Sequence, residues 1–235
     1  MKVAAIIVAA GSGKRMGQPT KKQFLSIGSK PILAYTLDVF DSIDKVDRII
    51  LVIPRGWKSY CQKEIIEKYG YRKRIEVIGG GARRQDSVAC GLALVSSDCE
   101  IVIIHDGVRP FVTRRMIVES IAKARKFGAC VVAVPVTETI KMVKRKGVID
   151  TTLPRKYLWR VQTPQAFRLS LIKEAYAKAL QDRFYGTDDA QLVERINRLV
   201  RIISGDYRNI KITTKEDLIL AKRLLFLGPR KYKYR

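Results

Sequence analysis

Short apolar runs alternate with amphipathic stretches along most of this chain. Continuous apolar runs between turn residues are typical of buried parallel strands, and apolar residues spaced three or four apart predict helices. The pattern therefore predicts an α/β fold with three layers, in which helices cover both faces of a mainly parallel central sheet. Strands are predicted over residues 3–9, 48–53, 74–78, 100–106 and 130–136, and helices over 31–43, 57–69, 83–95 and 113–128. Thr113 and Gly128 stand where the last of these helices needs an N-cap and a stop.

The alternation breaks after Val136, where two short β segments follow each other without a helix between them. Residues 137–162 predict a pair of strands that turn at residues 146 and 147. We expect a β-arm over about residues 137–157 that protrudes from the sheet and, being marginally stable alone, leans on a second subunit. Residues 1–235 are expected to form a single domain. Further helices are predicted over 169–181, 188–198 and 214–226, with a strand over 199–204.

The charge of the chain is unusual. Its 235 residues include 46 Lys and Arg but 22 Asp and Glu, which gives a formal net charge of +24. Such a field attracts polyanions, whether nucleic acid, a membrane surface or phosphorylated small molecules. A basic nucleic-acid-binding module is therefore one alternative, although the cations are spread along the chain and only residues 228–235 form a basic run. Aromatic residues between the cations are sparse outside that run, which disfavours this alternative.

Cysteine and histidine usage excludes two further classes. The four cysteines form no C-x-x-C pair, and His105 is the only histidine, so neither a zinc site nor a disulfide framework is expected. His105 itself is expected to be a core residue without a chemical role. The first apolar run is too short to span a bilayer and lacks a signal-peptide layout, so we expect a cytoplasmic protein with no membrane or nucleic-acid partner.

Candidate chemistry begins directly after the first predicted strand, where residues 9–24 read AAGSGKRMGQPTKKQF. Ligands of open α/β sheets bind at the carboxyl ends of the strands, and glycines let backbone amides approach a phosphate. The spacing does not fit a Walker loop, G-x-x-x-x-G-K-[ST], because Met16 stands where the second glycine of that motif would follow Gly11. It does not fit the dinucleotide-binding pattern G-x-G-x-x-G either. A glycine turn followed by Arg15 and Lys22 remains, and these residue types suit nucleotidyl transfer.

A series of motifs extends this interpretation over about residues 3–225. They are GGGARRQDSV (79–88), HDGVRPF (105–111), TETIK (137–141), LWRVQTPQAF (158–167), TDDA (187–190) and NIKIT (209–213). In order and spacing the chain resembles the 2-C-methyl-D-erythritol 4-phosphate cytidylyltransferases of the non-mevalonate isoprenoid pathway. The resemblance implies a Rossmann-like nucleotidyltransferase fold and Mg2+-dependent transfer of a cytidylyl group from CTP to methylerythritol phosphate. A ribitol 5-phosphate cytidylyltransferase, which shares the fold, is the alternative enzyme.

The resemblance also implies a set of catalytic residues. Arg15 and Lys22 would stabilise the transition state, and Arg155 and Lys211 would hold the attacking phosphate. Lys21 stands where the family usually has proline, so the choice between Lys21 and Lys22 as the catalytic lysine stays open.

Binding residues and assembly follow from the same resemblance. Backbone groups and one hydroxyl would bind the nucleotide, through Ala9, Ala10, Gly11, Gly13, Gly81 and Ser87. Asp106, Arg109 and Thr139 would contact the substrate, and Asp106 could reach Mg2+ through water, although no metal ligand is assigned. The β-arm would reach into a partner subunit, which implies a homodimer with shared active sites.

Overall fold

A seven-stranded sheet lies at the centre of the computed structural model, which describes residues 2–11 and 21–228 except for the side chain of Lys146. Six strands run parallel, and β10 runs antiparallel to its neighbours β6 and β7. The strands lie in the order β11 (Arg201–Ser204), β7 (Ala129–Pro135), β10 (Trp159–Arg168), β6 (Cys99–Asp106), β1 (Lys2–Val8), β4 (Arg48–Ile53) and β5 (Ile75–Gly79).

Helices and two small hairpins complete the fold. Within the described residues, no helix is both long and apolar enough to cross a bilayer. The hairpins pair β2 (Ser26–Ile27) with β3 (Lys30–Pro31) and β8 (Lys141–Val143) with β9 (Ile149–Thr152). The helices are α1 (Ile32–Asp41), α2 (Lys58–Cys61), which continues as a π-helix (Gln62–Glu67), α3 (Arg84–Ala93), α4 (Arg114–Phe127), α5 (Leu169–Gln181), α6 (Asp189–Arg195) and α7 (Lys215–Phe226).

The alternation of side chains along β1 explains the three layers. Successive strand residues point to opposite faces, and both faces of β1 are apolar. Ile7 belongs to a buried cluster with residues of α1 and α4, whereas Ile6 belongs to a second cluster with residues of α3, α5 and α6. Both side chains are fully buried. The predicted three-layer α/β fold with a mainly parallel sheet is therefore confirmed.

Most predicted elements lie within one or two residues of the observed ones. Thr113 caps α4 by accepting a hydrogen bond from the Met116 amide at 3.3 Å, and Gly128 ends it with a φ of 90° that favours glycine. The helix predicted over 188–198 ends at Arg195, and Asn197 then takes a positive φ of 56°. These are small corrections at the ends of elements.

Strand β10 is the main feature that the sequence pattern missed. Residues 159–162 were predicted as the end of the pair of strands that follows Val136, but they begin a central strand that pairs with β7 and then with β6. The sequence of β10 contains Pro164 and three polar residues, and these residue types are unusual in a central strand. The ladder to β7 is interrupted between Val161 and Gln165, around Pro164, and the polar side chains are satisfied by partners from other elements.

The β8–β9 hairpin forms its own two-stranded sheet, as predicted for the arm. Its turn is a short 3-10 helix, Arg145–Gly147, in which Gly147 has a φ of 77°. Large apolar side chains of both strands and the turn are exposed in this chain, namely Met142, Val143, Val148 and Ile149.

Candidate active site

A cleft of about 630 Å³ opens at the carboxyl ends of four adjacent parallel strands. Residues 9–11 follow β1, Pro54 and Arg55 follow β4, the glycine turn at residues 80 and 81 follows β5, and Asp106 ends β6. Strand β1 lies between β4 and β6, so the order of the strands reverses at β1. Ligands of open α/β sheets bind at the carboxyl ends of the strands beside such a reversal. The cleft therefore lies where the sequence predicted a nucleotide site.

One end of the cleft is built from backbone. The Gly80 amide donates to the Ile53 carbonyl at 2.7 Å, which keeps the turn close to β4. A Cβ at Gly80 would collide with the Cβ of Ala10 and would lie 2.7 Å from Ser87 Oγ. Only glycine lets the turn pack this closely against Ala10 and Ser87, so this end of the cleft, which we call the slot, is lined by backbone groups of residues 9–11, 80 and 81.

Ser87 organises the same turn from the first part of α3. Its hydroxyl donates to the Arg83 carbonyl at 3.0 Å and accepts from the Gly81 amide at 3.2 Å. The side chain is buried and also lines the cleft. A hydroxyl has one donor and two acceptor lone pairs, so Ser87 keeps one acceptor for a ligand and has no donor left to offer.

The rest of the cleft is strongly basic. Asp106 is the one carboxylate among the described residues that line it. Arg55 is fixed by donating to the Gly80 carbonyl at 3.2 Å, and the Arg83 guanidinium lies 3.6 Å from the ring centroid of Tyr185. The cationic side chains that line the cleft are Lys21, Lys22, Arg55, Arg83, Arg84 and Lys211.

Asp106 is surrounded by three of the cations near the cleft. Its Oδ2 lies 2.9 Å from Lys211 Nζ and 3.5 Å from Arg109 Nε, and its Oδ1 lies 3.2 Å from Arg84 Nε. Burial raises the pKa of Asp106, but Arg84, Lys211 and Arg109 outweigh burial and hold the pKa well below its usual range. Asp106 is therefore an ionised anchor for these cations.

Arg84 joins this cluster to the helices on the α5 side of the sheet. Its Nη1 lies 2.8 Å from Asp189 Oδ2, and Tyr176 donates its hydroxyl to Asp189 Oδ1 at 2.6 Å. Although burial lowers the pKa of Arg84, Asp189 and Asp106 raise it above its usual value. Sequence reasoning missed this bridge. Arg84 and Asp189 each lie in a quoted motif, but nothing in the sequence pairs the two motifs.

His105 lies on the opposite face of β6 from the cleft, fully buried, as expected for a core residue. Its Nδ1 lies 3.0 Å from Thr163 Oγ1 and its Nε2 lies 3.2 Å from the Arg109 carbonyl. A carbonyl only accepts, so Nε2 carries the proton and Nδ1 accepts from Thr163. Burial lowers the pKa of His105 to about 3, and the imidazole is neutral. Thr163 in turn accepts from the Asp106 amide at 3.1 Å.

The predicted site residues divide into four groups. Ala9, Ala10, Gly11, Lys22, Gly81, Ser87, Asp106 and Lys211 line the cleft. Arg109 lies behind Asp106, with 12% of its side chain exposed, and donates to the Asn209 carbonyl at 2.8 Å. Arg15 and Gly13 lie outside the described residues. Thr139 and Arg155 do not line the cleft of their own chain.

Arg155 lies beyond the β8–β9 hairpin, in the 3-10 turn Arg155–Tyr157. Its Nη1 donates to the Thr137 carbonyl at 2.6 Å, and its side chain is exposed. This bond joins the two ends of the arm and orients the guanidinium without directing it into the cleft of its own chain.

The described residues provide no ready-made metal cage. They contain no group of three or more His, Cys, Asp or Glu side chains that could hold a metal ion. Both carboxylate oxygens of Asp106 already face cations. A divalent cation would therefore depend on ligand phosphates for most of its coordination, which is the usual mode for Mg2+.

A glycine-lined slot beside a basic cleft, at the carboxyl ends of parallel strands, defines a nucleotide-binding α/β transferase. The family model described as IspD, 2-C-methyl-D-erythritol 4-phosphate cytidylyltransferase, matches residues 3–226. The chain belongs to this family. It is thus a cytidylyltransferase of the isoprenoid pathway.

Similar proteins agree with this assignment. A 2-C-methyl-D-erythritol 4-phosphate cytidylyltransferase of Alkaliphilus metalliredigens is 47% identical over 95% of this chain and 93% of its own length. One from Caldanaerobacter subterraneus is 46% identical over 96% and 99%. The crystal structure of 4-diphosphocytidyl-2C-methyl-D-erythritol synthase from Anaerococcus prevotii superposes with a TM-score of 0.86 at 38% identity, covering 96% of each chain. These relatives support the isoprenoid enzyme over both alternatives, the ribitol 5-phosphate enzyme and the nucleic-acid-binding module.

Proposed function

We propose that this cleft carries out the family's reaction, the transfer of a cytidylyl group from CTP to 2-C-methyl-D-erythritol 4-phosphate. An oxygen of the acceptor's 4-phosphate attacks the α-phosphorus of CTP, and the bond from that phosphorus to the leaving pyrophosphate breaks. The observation that supports this assignment best is the combination, in one cleft, of a glycine-lined slot with six cations and one described carboxylate. The slot suits a base, and the cations suit the phosphates.

Ser87 gives the slot a preference for cytosine. Its donor is committed to the Arg83 carbonyl, so towards a ligand it acts as an acceptor. The 4-amino group of cytosine is a donor, whereas the 4-oxo group of uracil is an acceptor that would face another acceptor. An unpaired polar group in a buried slot costs binding free energy, so CTP is favoured over UTP.

The cations act on charge that develops during the transfer. Lys22 and Arg15 supply the positive charge that stabilises the crowded, negatively charged transition state. Lys211 lies across the cleft, held by Asp106 at 2.9 Å, and binds the attacking phosphate with Arg155 of a partner subunit. Thr139 contacts the methylerythritol part, whereas Arg109 supports the site from behind Asp106. The chain needs no proton transfer for this step, because the attacking phosphate oxygen is already ionised.

Asp106 would help to hold Mg2+ when the nucleotide is bound. When bound, it would neutralise charge on the triphosphate, and the described residues offer it Asp106 through water rather than a direct cage. The chain's own contribution is to position both phosphates and to supply the surrounding positive charge.

A homodimer completes the site. Thr139 and Arg155 lie on or beside an arm whose apolar side chains are exposed, and Ile149 and Val148 are each more than half exposed. An exposed two-stranded hairpin is marginally stable without a partner. We place the arm against a second copy of the chain, so that Arg155 reaches the partner's cleft.

Transfer of label tests the reaction directly. CTP labelled at the α-phosphorus is incubated with the enzyme and either methylerythritol phosphate or ribitol 5-phosphate. Label should appear in a nucleotidylated methylerythritol product, while the released pyrophosphate stays unlabelled. Faster transfer to ribitol 5-phosphate would overturn the proposed acceptor.

A further inference from the structure

Gln23 is a buried amide between the lysine pair and a buried aromatic ring. It lies in the 3-10 turn Lys22–Phe24, and only 1% of its surface is exposed. Its Nε2 donates to the Ala9 carbonyl at 2.6 Å and lies 3.5 Å from the Gly11 carbonyl. The side chain therefore connects the segment that carries Lys22 to the segment that leaves β1.

Phe24 anchors the same turn on its other side. Its ring stacks on Trp57 with 5.1 Å between centroids and meets the edge of Tyr60 at the same distance. The Phe24 amide donates to the Lys21 carbonyl at 2.9 Å, which closes the turn. Phe24 thus fixes the position of the turn against α2. Its ring contacts do not set the distance from Lys22 to the backbone of Ala9 and Gly11.

That distance depends on Gln23. The chain leaves the sheet at Gly11 and is described again from Lys21, and the Gln23 amide joins these two ends. The Ala9 amide independently donates to the Val52 carbonyl at 2.7 Å, so Ala9 stays attached to the sheet without Gln23. Loss of the amide should therefore displace the lysine side of the cleft and leave the base side in place.

We infer that Gln23 is a positioning residue that holds Lys22 at the correct distance from the Ala9 and Gly11 backbone, an inference that rests on the proposed function of Lys22. Gln23 borders the cleft, but it is buried and its amide donates to backbone, so in this role it acts through Lys22 rather than on the substrate. Stabilisation of a transition state is sensitive to small displacements, and a shift of about 1 Å can cost about a hundredfold in rate. Gln23 therefore contributes to kcat through Lys22.

The test uses two variants that remove the donor while keeping the length of the side chain. Gln23→Met introduces no charge, and Gln23→Glu keeps the shape but replaces the amide by a second acceptor. Both should lower kcat at least about tenfold and change the KM for CTP less than about threefold, because the lysine moves and the base slot does not. Gln181→Glu, on the exposed end of α5, is the matched control and should keep the wild-type kcat.

A double-mutant cycle separates this role from a purely structural one. In a Lys22→Ala background, measured at enzyme concentrations that keep the residual rate detectable, Gln23→Met should lower kcat by less than about twofold. A parallel cycle with Lys21→Ala should show an undiminished effect of Gln23→Met. Thermal melting confirms that each variant is folded, and if Gln23→Met is not, Gln23→Glu takes its place in both cycles.

Three results would overturn the inference. These are wild-type kcat in both Gln23 variants, an equal loss of kcat with and without Lys22, or coupling to Lys21 in place of Lys22. An inactive wild-type enzyme would count against the proposed function instead, so the two failures are distinguishable.

Discussion

Lys211 Nζ and Asp106 Oδ2 lie 2.9 Å apart at the mouth of the cleft, although more than a hundred positions separate them in the chain. The carboxylate of β6 thereby fixes a lysine that approaches from the loop before α7. Arg84 contacts the other oxygen of the same carboxylate. Asp106 therefore organises the cations on this side of the cleft.

The first prediction concerns Asp106→Asn. The substitution keeps the shape but leaves Arg84, Arg109 and Lys211 facing a neutral amide. Removing one member of a buried ion cluster is costly, and because Lys211 is 37% exposed we expect a loss of about 2 kcal/mol in the free energy of unfolding. Urea denaturation measures it. Asp98→Asn, which removes an exposed pair with Lys2, is the control and should change stability little. Equal stability of the two variants would contradict the account.

The second prediction concerns pH. Folding keeps His105 neutral to about pH 3, whereas in the unfolded chain it takes up a proton near pH 6.5. The unfolded state therefore binds more protons as pH falls from about 6.5 towards 3, and the protein loses stability in that direction. Between pH 6.5 and 5.5 the loss should be about 1 kcal/mol from this group.

Chemical denaturation at the two pH values measures this loss, and His105→Gln is the matched control. Glutamine does not titrate, so its stability should depend less on pH by about the same 1 kcal/mol. His105 is the only histidine, so its ring signals are assigned at once in a proton NMR spectrum. A ring that titrates near pH 6.5 in the folded protein would contradict the buried, neutral imidazole.

The third prediction concerns Gly80→Ala. The added methyl would clash with the Cβ of Ala10 and with the Ser87 hydroxyl, so the turn would have to shift away from them and the base slot would be distorted. We expect the KM for CTP to rise about tenfold or more, since about 1.4 kcal/mol of lost binding is a factor of ten. The KM for methylerythritol phosphate serves as the internal control and should stay within about twofold. Equal increases for both substrates would show that Gly80 supports the whole cleft rather than the base slot.

The fourth prediction concerns the shared site. Lys211→Ala and Arg155→Ala proteins should each be nearly inactive alone. If Arg155 serves the partner's cleft, subunit exchange between them restores one intact site in each mixed dimer. With half of the molecules mixed, activity should reach roughly a quarter of the wild-type value by two-fold symmetry. If mass spectrometry shows that the subunits have exchanged but no activity returns, Arg155 acts within its own chain.

The sequence predicted best those features that depend on neighbours along the chain. The apolar runs placed β1, β4 and β6 within a residue or two, and the strand ends placed Asp106 and residues 9–11 at the ligand edge. Ser87 and Lys211 came from motifs whose family the comparisons support. The local sequence pattern was enough to predict these positions, because each residue is placed by the strand or motif to which it belongs.

Other features depended on contacts between distant segments. Strand β10 was missed because its buried polar residues are stabilised by partners that the local pattern does not reveal, such as His105 for Thr163. The bridge from Arg84 to Asp189 joins two helices that no spacing relates. No role was predicted for Gln23, because nothing in the sequence reveals its contact with the Ala9 carbonyl.

Nucleotide choice tests the central claim most directly. Pyrophosphate release is measured with methylerythritol phosphate and each of CTP, UTP, ATP and GTP in turn. Ser87 offers the slot an acceptor and no donor, so kcat/KM for CTP should exceed that for UTP by at least about a hundredfold, a discrimination of the size that unpaired buried polar groups produce. The purine nucleotides should release less pyrophosphate still, because a purine presents a larger ring system and a different set of donors and acceptors to Ser87. Equal turnover of CTP and UTP would contradict a cytidylyltransferase whose base specificity comes from this slot.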